Sequence, residues 1–307
     1  NLTLLIFSMK IIWQGFTSSK HSWGLCAQNI SRQLIKLNHD VELISTDGPL
    51  PDDLQKYNAE TKLKLPRDRL DYDMSLSYTA PHNFINYLKR SKKNRFAIHA
   101  FEFDVLPPHW VKYHNSIDKL MPPSQFAADI YLNAKYPEDK VVVVPHGINL
   151  EDYSLNNTEP YKLKTNKQRK ILVNLAQIHA RKGLPKILEA YGKAFNKKDD
   201  VCLVLKVAVK KTEKPAPFDV DFWKLYKDFQ QKYPQHAEIE VITEFIPNIA
   251  SLYLACDILF SMSHGECFHL PSLEALGAGL IVIAPKHGGV LDFLNDSNSF
   301  LIPGKNV

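Results

Sequence analysis

Two glutamates with seven residues between them, Glu266 and Glu274, flank Pro271 in the segment SHGECFHLPSLEALGAG over 263–279. Proline is favoured at the first position of a helix, so the segment predicts a loop that enters a helix at Pro271. The N–H groups at such an entrance and the positive end of the helix dipole attract anions, and a diphosphate is the expected ligand. The N–H groups expected to hold it belong to Cys267, Phe268, His269 and Leu270.

The two carboxylates would bind phosphate poorly, but they can accept hydrogen bonds from sugar hydroxyls. We therefore expect Glu266 on the loop in front of the diphosphate and Glu274 in the first helical turn behind it, each beside a hydroxylated ring. A purely structural explanation stands beside this one, because glutamate in a first helical turn also stabilises the helix dipole.

The elements that must position this segment are short apolar runs that alternate with helical patterns, which predicts parallel strands buried on both faces. We predict strands at Lys10–Trp13, Val41–Ser45, Met74–Tyr78, Phe96–Ala100, Lys119–Met121, Val141–Val144, Ile171–Leu175, Cys202–Val207, Ile239–Ile242, Ile258–Ser261, Leu280–Ala284 and Phe300–Ile302. Helices are predicted at Trp23–Leu37, Gln125–Asn133, Leu184–Phe195 and Phe222–Lys232.

A polar stretch, NLEDYSLNNTEPYKLKTNKQRK over 149–170, interrupts the alternation and is typical of a linker or hinge. The expected fold class is α/β, with two Rossmann-like, doubly wound parallel-sheet domains, 1–150 and 151–307, facing a cleft. Ligands of such sheets bind beyond the carboxyl ends of the strands. Because the chain ends at LIPGKNV without a closing helix, we expect the second domain to be truncated at its C-terminal end.

The composition of the 307 residues, 45% hydrophobic and 23% charged, is that of a soluble globular protein. A net charge of +5 suits a phosphorylated ligand or an anionic membrane surface and does not predict nucleic-acid binding. The four cysteines lie far apart without a CxxC pair, which fits a reducing compartment such as the cytoplasm. The opening NLTLLIFSM lacks a positive leader and a cleavage site, so we expect an upstream extension or an extra strand there.

The string GECFHLPSLEALGAGLIVIAPKHGG over 265–289 resembles the E-x7-E signature of retaining glycosyltransferases of family 4, which have the GT-B fold. Other strings are similar to further parts of that family: KIIWQGFTSSKHSWGLCAQNISRQLIKLNHDVELIS, VVVVPHGINLEDY, ILVNLAQIHARKGLPKILEAY and LYLACDILFSMS. The resemblance implies a nucleotide-diphosphate sugar donor, retention at the anomeric carbon, and neither an obligatory metal nor a cofactor. It also implies a role in polysaccharide or glycoconjugate synthesis in the cytoplasm or at the inner membrane face.

By this resemblance, Glu274 binds the hydroxyls of the donor ribose and Glu266 binds the transferred sugar near the reacting carbon. Lys182 in ARKG matches a lysine that neutralises the leaving diphosphate. The family usually has an arginine five residues before that lysine, where this chain has Gln177. Either Arg181 takes over that role from the neighbouring position, or the donor site is weaker than usual.

Two further candidates lie in the first domain. Gly24, beside Trp23 at the start of the first helix, lets the backbone approach the donor phosphate or the acceptor, although a simple helix-entry glycine explains it equally well. His99 ends a strand where the resemblance implies a histidine near the sugar's hydroxymethyl group. The alternatives are a buried structural histidine, or Glu102 in the functional place.

Two other patterns are weaker. DYD at 71–73 has a metal-binding D-x-D form but precedes an apolar run, so we interpret it as the polar entry to a strand. NFINYLKRSKKNR over 83–95 ends a predicted helix in basic residues, which indicates a solvated face or, alternatively, a peripheral membrane contact or a lipid-linked acceptor. No G-x-G-x-x-G or zinc-ligand spacing is present, so neither a dinucleotide oxidoreductase nor a metal site is predicted.

The sequence therefore predicts a retaining, metal-independent glycosyltransferase that moves a hexose to the hydroxyl of a glycan or lipid-linked acceptor. Its expected catalytic residues are Glu266, His99 and Lys182. One alternative is a non-catalytic module that binds a nucleotide sugar or a glycan on the same fold. Another is a sugar phosphorylase or phosphatase built on the same two-domain plan. The donor base, the sugar, the linkage and the oligomeric state are not encoded in any motif.

Overall fold

The computed structural model describes residues 8–17, 22–59, 71–175, 177–209 and 220–304. Contacts within the chain separate two compact units, Asn1–Gly147 and Ile148–Val307. Each unit contains one parallel sheet with helices between its strands, which confirms the expected pair of doubly wound α/β domains. In the described part of the chain, no helix is both long enough and apolar enough to cross a bilayer.

The first unit has a five-stranded sheet with the order β2-β1-β3-β4-β5. The strands are β1 Lys10–Gly15, β2 Asp40–Ser45, β3 Met74–Tyr78, β4 Arg95–Ile98 and β5 Lys119–Met121, and the helices are α1 Ser22–Lys36, α2 Phe84–Tyr87 and α3 Gln125–Asn133. Ile11, Ile12 and Trp13 of β1 are all buried, as expected for a central strand covered on both faces.

The second unit has a six-stranded sheet with the order β11-β10-β9-β6-β7-β8. Its strands are β6 Arg169–Leu175, β7 Val201–Val207, β8 Glu238–Ile242, β9 Ile258–Phe260, β10 Ile281–Pro285 and β11 Phe300–Ile302, and its helices are α4 Leu184–Ala194, α5 Phe222–Lys232, α6 Ala250–Leu254 and α7 Leu270–Gly277. Apolar clusters cover both faces of the sheet: Leu203 and Leu205 belong to one of them, and Cys202 and Val204 to the other.

Both sheets have a point where the order of the strands reverses. In the first sheet the chain goes from β1 outward to β2 and then returns to the other side of β1 with β3. In the second sheet it runs from β6 through β7 to β8 and then returns beside β6 with β9. Loops that leave adjacent strands in opposite directions open a crevice at the carboxyl edge, and this is where ligands of such sheets bind.

Two predicted elements are wrong. Val141–Val144 is not a strand: Val141 forms a single bridge with Leu120, and the segment then runs past the end of the short strand β5 with Val142 and Val144 exposed. The helix predicted to end in the basic run stops at Tyr87, so the lysines at 89, 92 and 93 follow the helix instead of capping its dipole.

The polar stretch over 149–170 was expected to be a linker, but the structure anchors it on the second unit. Tyr153, Tyr161 and Leu163 pack against the core of that unit. The Glu240 carboxylate accepts hydrogen bonds from the backbone N–H groups of Lys164 and its neighbour, at 3.0–3.1 Å. The asparagines and lysines of this stretch predict a solvated linker, whereas three apolar or aromatic side chains among them make the contacts. Of the apolar opening NLTLLIFSM, the structure describes only residues 8 and 9. The last three residues of the chain, 305–307, also lie outside the described residues.

Candidate functional site

Two loops meet at the reversal point of the second sheet. One loop follows β6 and leads into α4, and the other follows β9 and leads into α7. Because β6 pairs directly with β9, with Ile171 opposite Ile258, both loops leave the same edge side by side. The first loop carries Arg181 and Lys182, and the second carries Glu266.

Gly183 permits the two loops to cross in contact. It has a φ of 68°, and a Cβ atom built on it would lie 2.1 Å from the carbonyl oxygen of Met262. Only glycine tolerates both the left-handed backbone and this close approach. Beside the crossing, the N–H of His264 donates a 2.7 Å hydrogen bond to the carbonyl of Arg181.

A third loop, which follows β10, fixes the backbone of Glu266 from the other side. The N–H of Gly289 donates a 2.8 Å hydrogen bond to the Glu266 carbonyl. Gly288 has a φ of 80°, and a Cβ atom there would lie 2.8 Å from the same carbonyl oxygen. Gly288 therefore shapes this loop at the site, because any larger residue would collide with the Glu266 carbonyl.

The Glu266 carboxylate is the centre of a buried ionic cluster. Its Oε1 accepts hydrogen bonds from Lys182 Nζ and from Ser263 Oγ, each at 2.6 Å. Its Oε2 lies 3.2 Å from Arg181 Nη1, which also donates to the carbonyl of Gly265. The side chains of the two cations are only 18% and 19% exposed. We refer to Arg181, Lys182, Ser263 and Glu266 as the ionic cluster.

The electrostatics of the cluster hold Glu266 in its charged form. Burial raises the pKa of this carboxyl, but the charges of Lys182 and Arg181, joined in acid by protonated His269, outweigh the effect of burial and bring the pKa to about 2. Two cations and one carboxylate leave one positive charge in a site with little water. A cluster with this balance favours an anion that can share the two cations with Glu266.

The entrance to α7 lies next to the cluster. His269, the residue before the helix, has a φ of 68°, a strained conformation for a non-glycine residue, and its Nδ1 lies 2.6 Å from Ser272 Oγ. Burial lowers the pKa of His269 to about 4, so its ring is neutral at physiological pH. Among the described residues, the N–H groups of His269 and Leu270 meet no acceptor. Cys267 and Phe268 are buried, with the Phe268 ring 5.1 Å from that of Phe293.

The structure starts α7 one residue earlier than predicted, and this places Glu274 in the second helical turn. Tyr253 Oη donates a 2.7 Å hydrogen bond to Glu274 Oε2, and Tyr153 also hydrogen-bonds to this carboxyl group. Asn174, at the end of β6, donates in turn to Tyr253 Oη at 2.9 Å. Burial raises the pKa of Glu274, against the hydrogen bonds from the tyrosines. The explanation by dipole stabilisation in a first turn therefore does not apply, and the tyrosines already use the carboxylate as an acceptor.

Within the second unit, the predicted site residues fall into two groups, and Gln177 lies outside both. Arg181, Lys182, Glu266 and His269 come together at one edge of the second sheet. Glu274 lies in its own network with the tyrosines. Gln177, in the position where an arginine was expected, is exposed and lies outside the ionic cluster.

Gly24 and His99 belong to the first unit. Gly24 is buried in the first turn of α1. His99 follows β4, is 2% exposed, and its Nδ1 bonds to the hydroxyl of Tyr131. Burial lowers the pKa of His99 to about 3, so this ring too is neutral at physiological pH. The neighbouring alternative, Glu102, is partly exposed.

The DYD motif enters β3, as interpreted from the sequence. Asp71 pairs with Lys10 Nζ at 3.4 Å, and Asp73 accepts a hydrogen bond from the Lys10 N–H at 2.8 Å. Both carboxylates thus help to hold β1 and β3 together at the amino edge, away from the carboxyl ends where ligands bind. All four cysteines, which lie within the described residues, are buried and form no disulfide.

Sequence reasoning missed four residues of these networks: Ser263, Tyr153, Tyr253 and Asn174. Ser263 could have been identified from the sequence, since a hydroxyl three residues before Glu266 in the same loop can reach the Glu266 carboxylate. The tyrosines and Asn174 come from three separate segments and carry no local signal.

Comparison with known proteins gives a family for the second unit. Residues 156–307 match the family model "Glycosyl transferases group 1". A lipopolysaccharide 1,2-N-acetylglucosaminetransferase from Salmonella typhimurium is 26% identical over 191 residues, which cover 58% of this chain and 46% of that protein. The chain spans about half or less of the length of the curated relatives it matches, from 38% to 49%.

Solved structures match nearly the whole chain. A glycosyltransferase from Rickettsia africae has a TM-score of 0.75 at 21% identity and covers 98% of this chain and 86% of its own. Anabaena Alr3699/HepE in complex with UDP-glucose has a TM-score of 0.67 at 15% identity and covers 97% of this chain and 86% of its own. At these identities the matches establish the fold, which is the expected GT-B fold with two Rossmann-like units.

Proposed function

Because residues 156–307 belong to the glycosyl transferases group 1 family, we propose that this protein transfers a sugar from a nucleotide-diphosphate donor to an acceptor hydroxyl. The observation that carries the proposal is the ionic cluster, in which Glu266 binds both Lys182 and Arg181. It lies at the reversal point of the sheet, beside a helix entrance where the N–H groups of His269 and Leu270 meet no acceptor in the described part of the chain. The UDP-glucose complex of Anabaena Alr3699/HepE supports the choice of donor class.

Lys182 and Arg181 are the groups that would receive the diphosphate. A phosphate oxygen that enters the cluster competes with Glu266 for the two cations. When the bond from the sugar to the diphosphate breaks, negative charge grows on the departing oxygen, and Lys182 stabilises it at no cost of reorganisation. Arg181 supplies the second cation from the neighbouring position, so Gln177 is not needed for this role.

Once the two cations bind the diphosphate, the Glu266 carboxylate would be free to bind the transferred sugar. Its low pKa keeps it ionised throughout the physiological range, so it is an acceptor for sugar hydroxyls and a source of negative charge beside the reacting carbon. A carboxylate that stays ionised is unsuited to act as a general acid. We also propose retention by same-face substitution, in which the leaving phosphate oxygen helps to deprotonate the acceptor and Glu266 forms no covalent intermediate.

Glu274 would bind the ribose of the donor, with a rearrangement of its hydrogen bonds. Tyr153 and Tyr253 hold the carboxylate in place before the ligand arrives. Two ribose hydroxyls can replace one tyrosine as donors while the other keeps the carboxylate oriented. No divalent metal is required by this scheme, because Lys182 and Arg181 provide the positive charge at the diphosphate.

The acceptor in this proposal is a glycan or a lipid-linked sugar, used in the cytoplasm or at the inner membrane face. The exposed side chains of Lys92 and Lys93, and of Ile85 at 57% exposure, support a peripheral membrane contact of the first unit. Sedimentation with vesicles that contain anionic phospholipid, compared with neutral vesicles, tests this part on its own.

The experiment that tests the function is a screen of UDP- and GDP-sugars for nucleotide release by the full chain. We expect release with at least one donor, and Lys182→Met should reduce it by at least about a hundredfold, as for the loss of a transition-state electrostatic contact. Lys186→Met, which replaces an exposed lysine one turn later, serves as the matched control. Donor binding without release by the wild type would instead identify a non-catalytic binding module, the second candidate, which is favoured by the glutamine at 177.

A further inference from the structure

We infer that Asn174 and Tyr253 are positioning residues that fix the Glu274 carboxylate for a ribose ring and so let the protein distinguish ribose from deoxyribose. Tyr253 touches Glu274, and Asn174 acts through Tyr253. The inference rests on the proposed function, since it takes Glu274 as the group that binds the donor ribose, and it adds the residues that set the specificity at this carboxylate.

Three separate elements bring these residues together. Asn174 lies in β6, Tyr253 in α6 and Glu274 in α7. Asn174 interrupts the apolar run 171–175 of β6, and it points to the same face as Leu172, which belongs to the same apolar cluster as Tyr253. An amide on such a face lowers the stability of the fold unless it is hydrogen-bonded, and its partner is the Tyr253 hydroxyl.

The chain of hydrogen bonds has a fixed direction. Asn174 Nδ2 donates to Tyr253 Oη at 2.9 Å, and Tyr253 Oη donates to Glu274 Oε2 at 2.7 Å. An amide NH2 group can only donate, and a phenol has a single proton. The proton of Tyr253 is therefore directed to Glu274, which favours the ionised form of the carboxylate.

The ionised form is the one that can recognise ribose. Burial raises the pKa of Glu274, and the hydrogen bonds from Tyr253 and Tyr153 act in the opposite direction. An ionised carboxylate accepts hydrogen bonds at both oxygens and can therefore bind the two adjacent hydroxyls of a ribose ring. A 2′-deoxyribose ring lacks one of these hydroxyls and would leave an acceptor unfilled in a site with little water.

Of the two tyrosines, Tyr253 is the one that keeps its bond to Glu274 when ribose binds. Tyr253 is 0% exposed and is held by Asn174, so its hydroxyl would lose its partner without gaining water. Tyr153 is partly exposed and ends the short 3-10 helix Leu150–Tyr153, so its hydroxyl can exchange Glu274 for water. The ribose hydroxyls therefore replace Tyr153 and not Tyr253.

The test is isothermal titration calorimetry of the full chain with UDP, GDP and their 2′-deoxy counterparts. We expect the wild type to bind at least one ribonucleotide at least about tenfold more tightly than its 2′-deoxy form, as for one hydrogen bond to a charged group. Tyr253→Phe should reduce this ratio to at most about threefold, because Glu274 loses the donor that orients it. Tyr153→Phe should keep the ratio and bind the ribonucleotide as tightly as the wild type or more tightly.

Asn174→Asp tests the relay. A carboxylate at this position accepts the Tyr253 proton and turns it away from Glu274, so the ratio should fall as in Tyr253→Phe. In the Tyr253→Phe background the same substitution should change the ratio no further, because Asn174 acts only through that hydroxyl. Tyr253→Phe keeps the ring and its packing, so the outcome does not depend on whether Asn174→Asp folds.

Tyr191→Phe is the matched control. It removes another buried tyrosine hydroxyl of the second unit, which bonds to the carbonyl of Glu238 at 2.8 Å, and it should leave the ratio unchanged. A purely structural role of Tyr253 would weaken the binding of both sugar forms equally. An unchanged ratio in Tyr253→Phe, a wild type without preference for ribose, or no binding of any of the four nucleotides would overturn the inference.

Nucleotide release from UDP- and GDP-sugars reports separately on the proposed function, since the calorimetry uses nucleotides without a sugar to transfer. A ribose preference that is lost in Tyr253→Phe, without turnover of any donor by the wild type, would refute the transfer reaction and leave the inference standing. Turnover by the wild type together with an unchanged ratio in Tyr253→Phe would have the opposite consequence.

Discussion

Replacing Glu266 by glutamine should destabilise the second unit, because it leaves Lys182 and Arg181 buried without their counter-charge. The amide keeps the size and shape of the carboxylate, so lost packing contributes little. The exposed fractions of the two cations, 19% and 18%, leave little water to compensate. A buried charge that loses its partner is among the costliest single changes in a folded protein.

The magnitude follows from the pKa of Glu266. A fall from 4.5 to about 2 corresponds to about 3 kcal/mol, since each tenfold change is worth about 1.4 kcal/mol. Because the folded-state pKa is lowered, this stabilisation is fully present above pH 4.5 and is lost as the pH falls towards 2. We therefore expect Glu266→Gln to cost about 3 kcal/mol at pH 7, and the loss relative to the wild type to shrink below pH 4.5.

The assay must report on the second unit alone, since a two-domain chain need not unfold in one step. Trp223 is the only one of the four tryptophans beyond position 147, so the fluorine NMR signal of a fluorotryptophan there follows that unit through a urea titration. Glu189→Gln removes the exposed partner of Lys193 and is the matched control, expected to leave the midpoint unchanged. The double variant Glu266→Gln/Lys182→Met should recover part of the loss. A midpoint for Glu266→Gln equal to that of the control would refute the electrostatic account of the cluster.

Three further predictions concern neighbouring residues. Arg181→Ala should raise the KM for the donor by about tenfold or more, the loss of one charge-assisted contact, whereas Gln177→Ala should not change it; equal effects in steady-state kinetics would contradict the role given to Arg181. Gly183→Ala should destabilise the second unit by at least about 2 kcal/mol, because strain and overlap combine; the control Gly304→Ala, at an exposed position of the same unit where a Cβ atom would meet nothing closer than 3.4 Å, should be silent in the same titration. Glu274→Ala should weaken nucleotide binding in calorimetry more than it lowers turnover at saturating donor, and the reverse order would remove it from the ribose site.

Much of the fold could be predicted because buried parallel strands leave a strong local signal. Val201–Val207 is short, apolar at every position but one and contains three valines, which favours a buried strand. The helix entrance near Pro271 could also be predicted from the sequence, since proline fixes a helical φ there. The points where the strand order reverses in the two sheets could not be predicted, because they depend on which strands pair with one another and no single segment encodes that.

The local signal failed where tertiary contacts decide. Val141–Val144 has the composition of a strand, and the N–H groups of Val142 and Val144 donate to the carbonyls of Leu120 and Pro122, but β5 beside it is only three residues long and the pairing amounts to one bridge. The lysines after Tyr87 predict the last turn of a longer helix, whereas the helix has four residues and ends before them. In both places the pattern of side chains was compatible with the predicted element, and the neighbouring backbone did not continue it.

At the candidate site, the sequence predicts the residues of both loops but not the contact that joins the loops. Glu266, Lys182 and Arg181 were each singled out, but their mutual ion pairs depend on two loops that cross at Gly183. Glu274 was placed behind the diphosphate from its spacing alone. The tyrosines that hold it come from distant segments, so its hydrogen bonds could be found only in the folded chain.

The most direct test of the transfer reaction compares turnover and nucleotide binding in Glu266→Gln and the wild type, with the donor found in the screen and a working acceptor. The account predicts that turnover falls by at least about a hundredfold, while the Kd for the nucleoside diphosphate stays equal or becomes lower because the two cations are released from Glu266. Turnover equal to that of the wild type would contradict the central claim that this carboxylate acts at the reacting sugar.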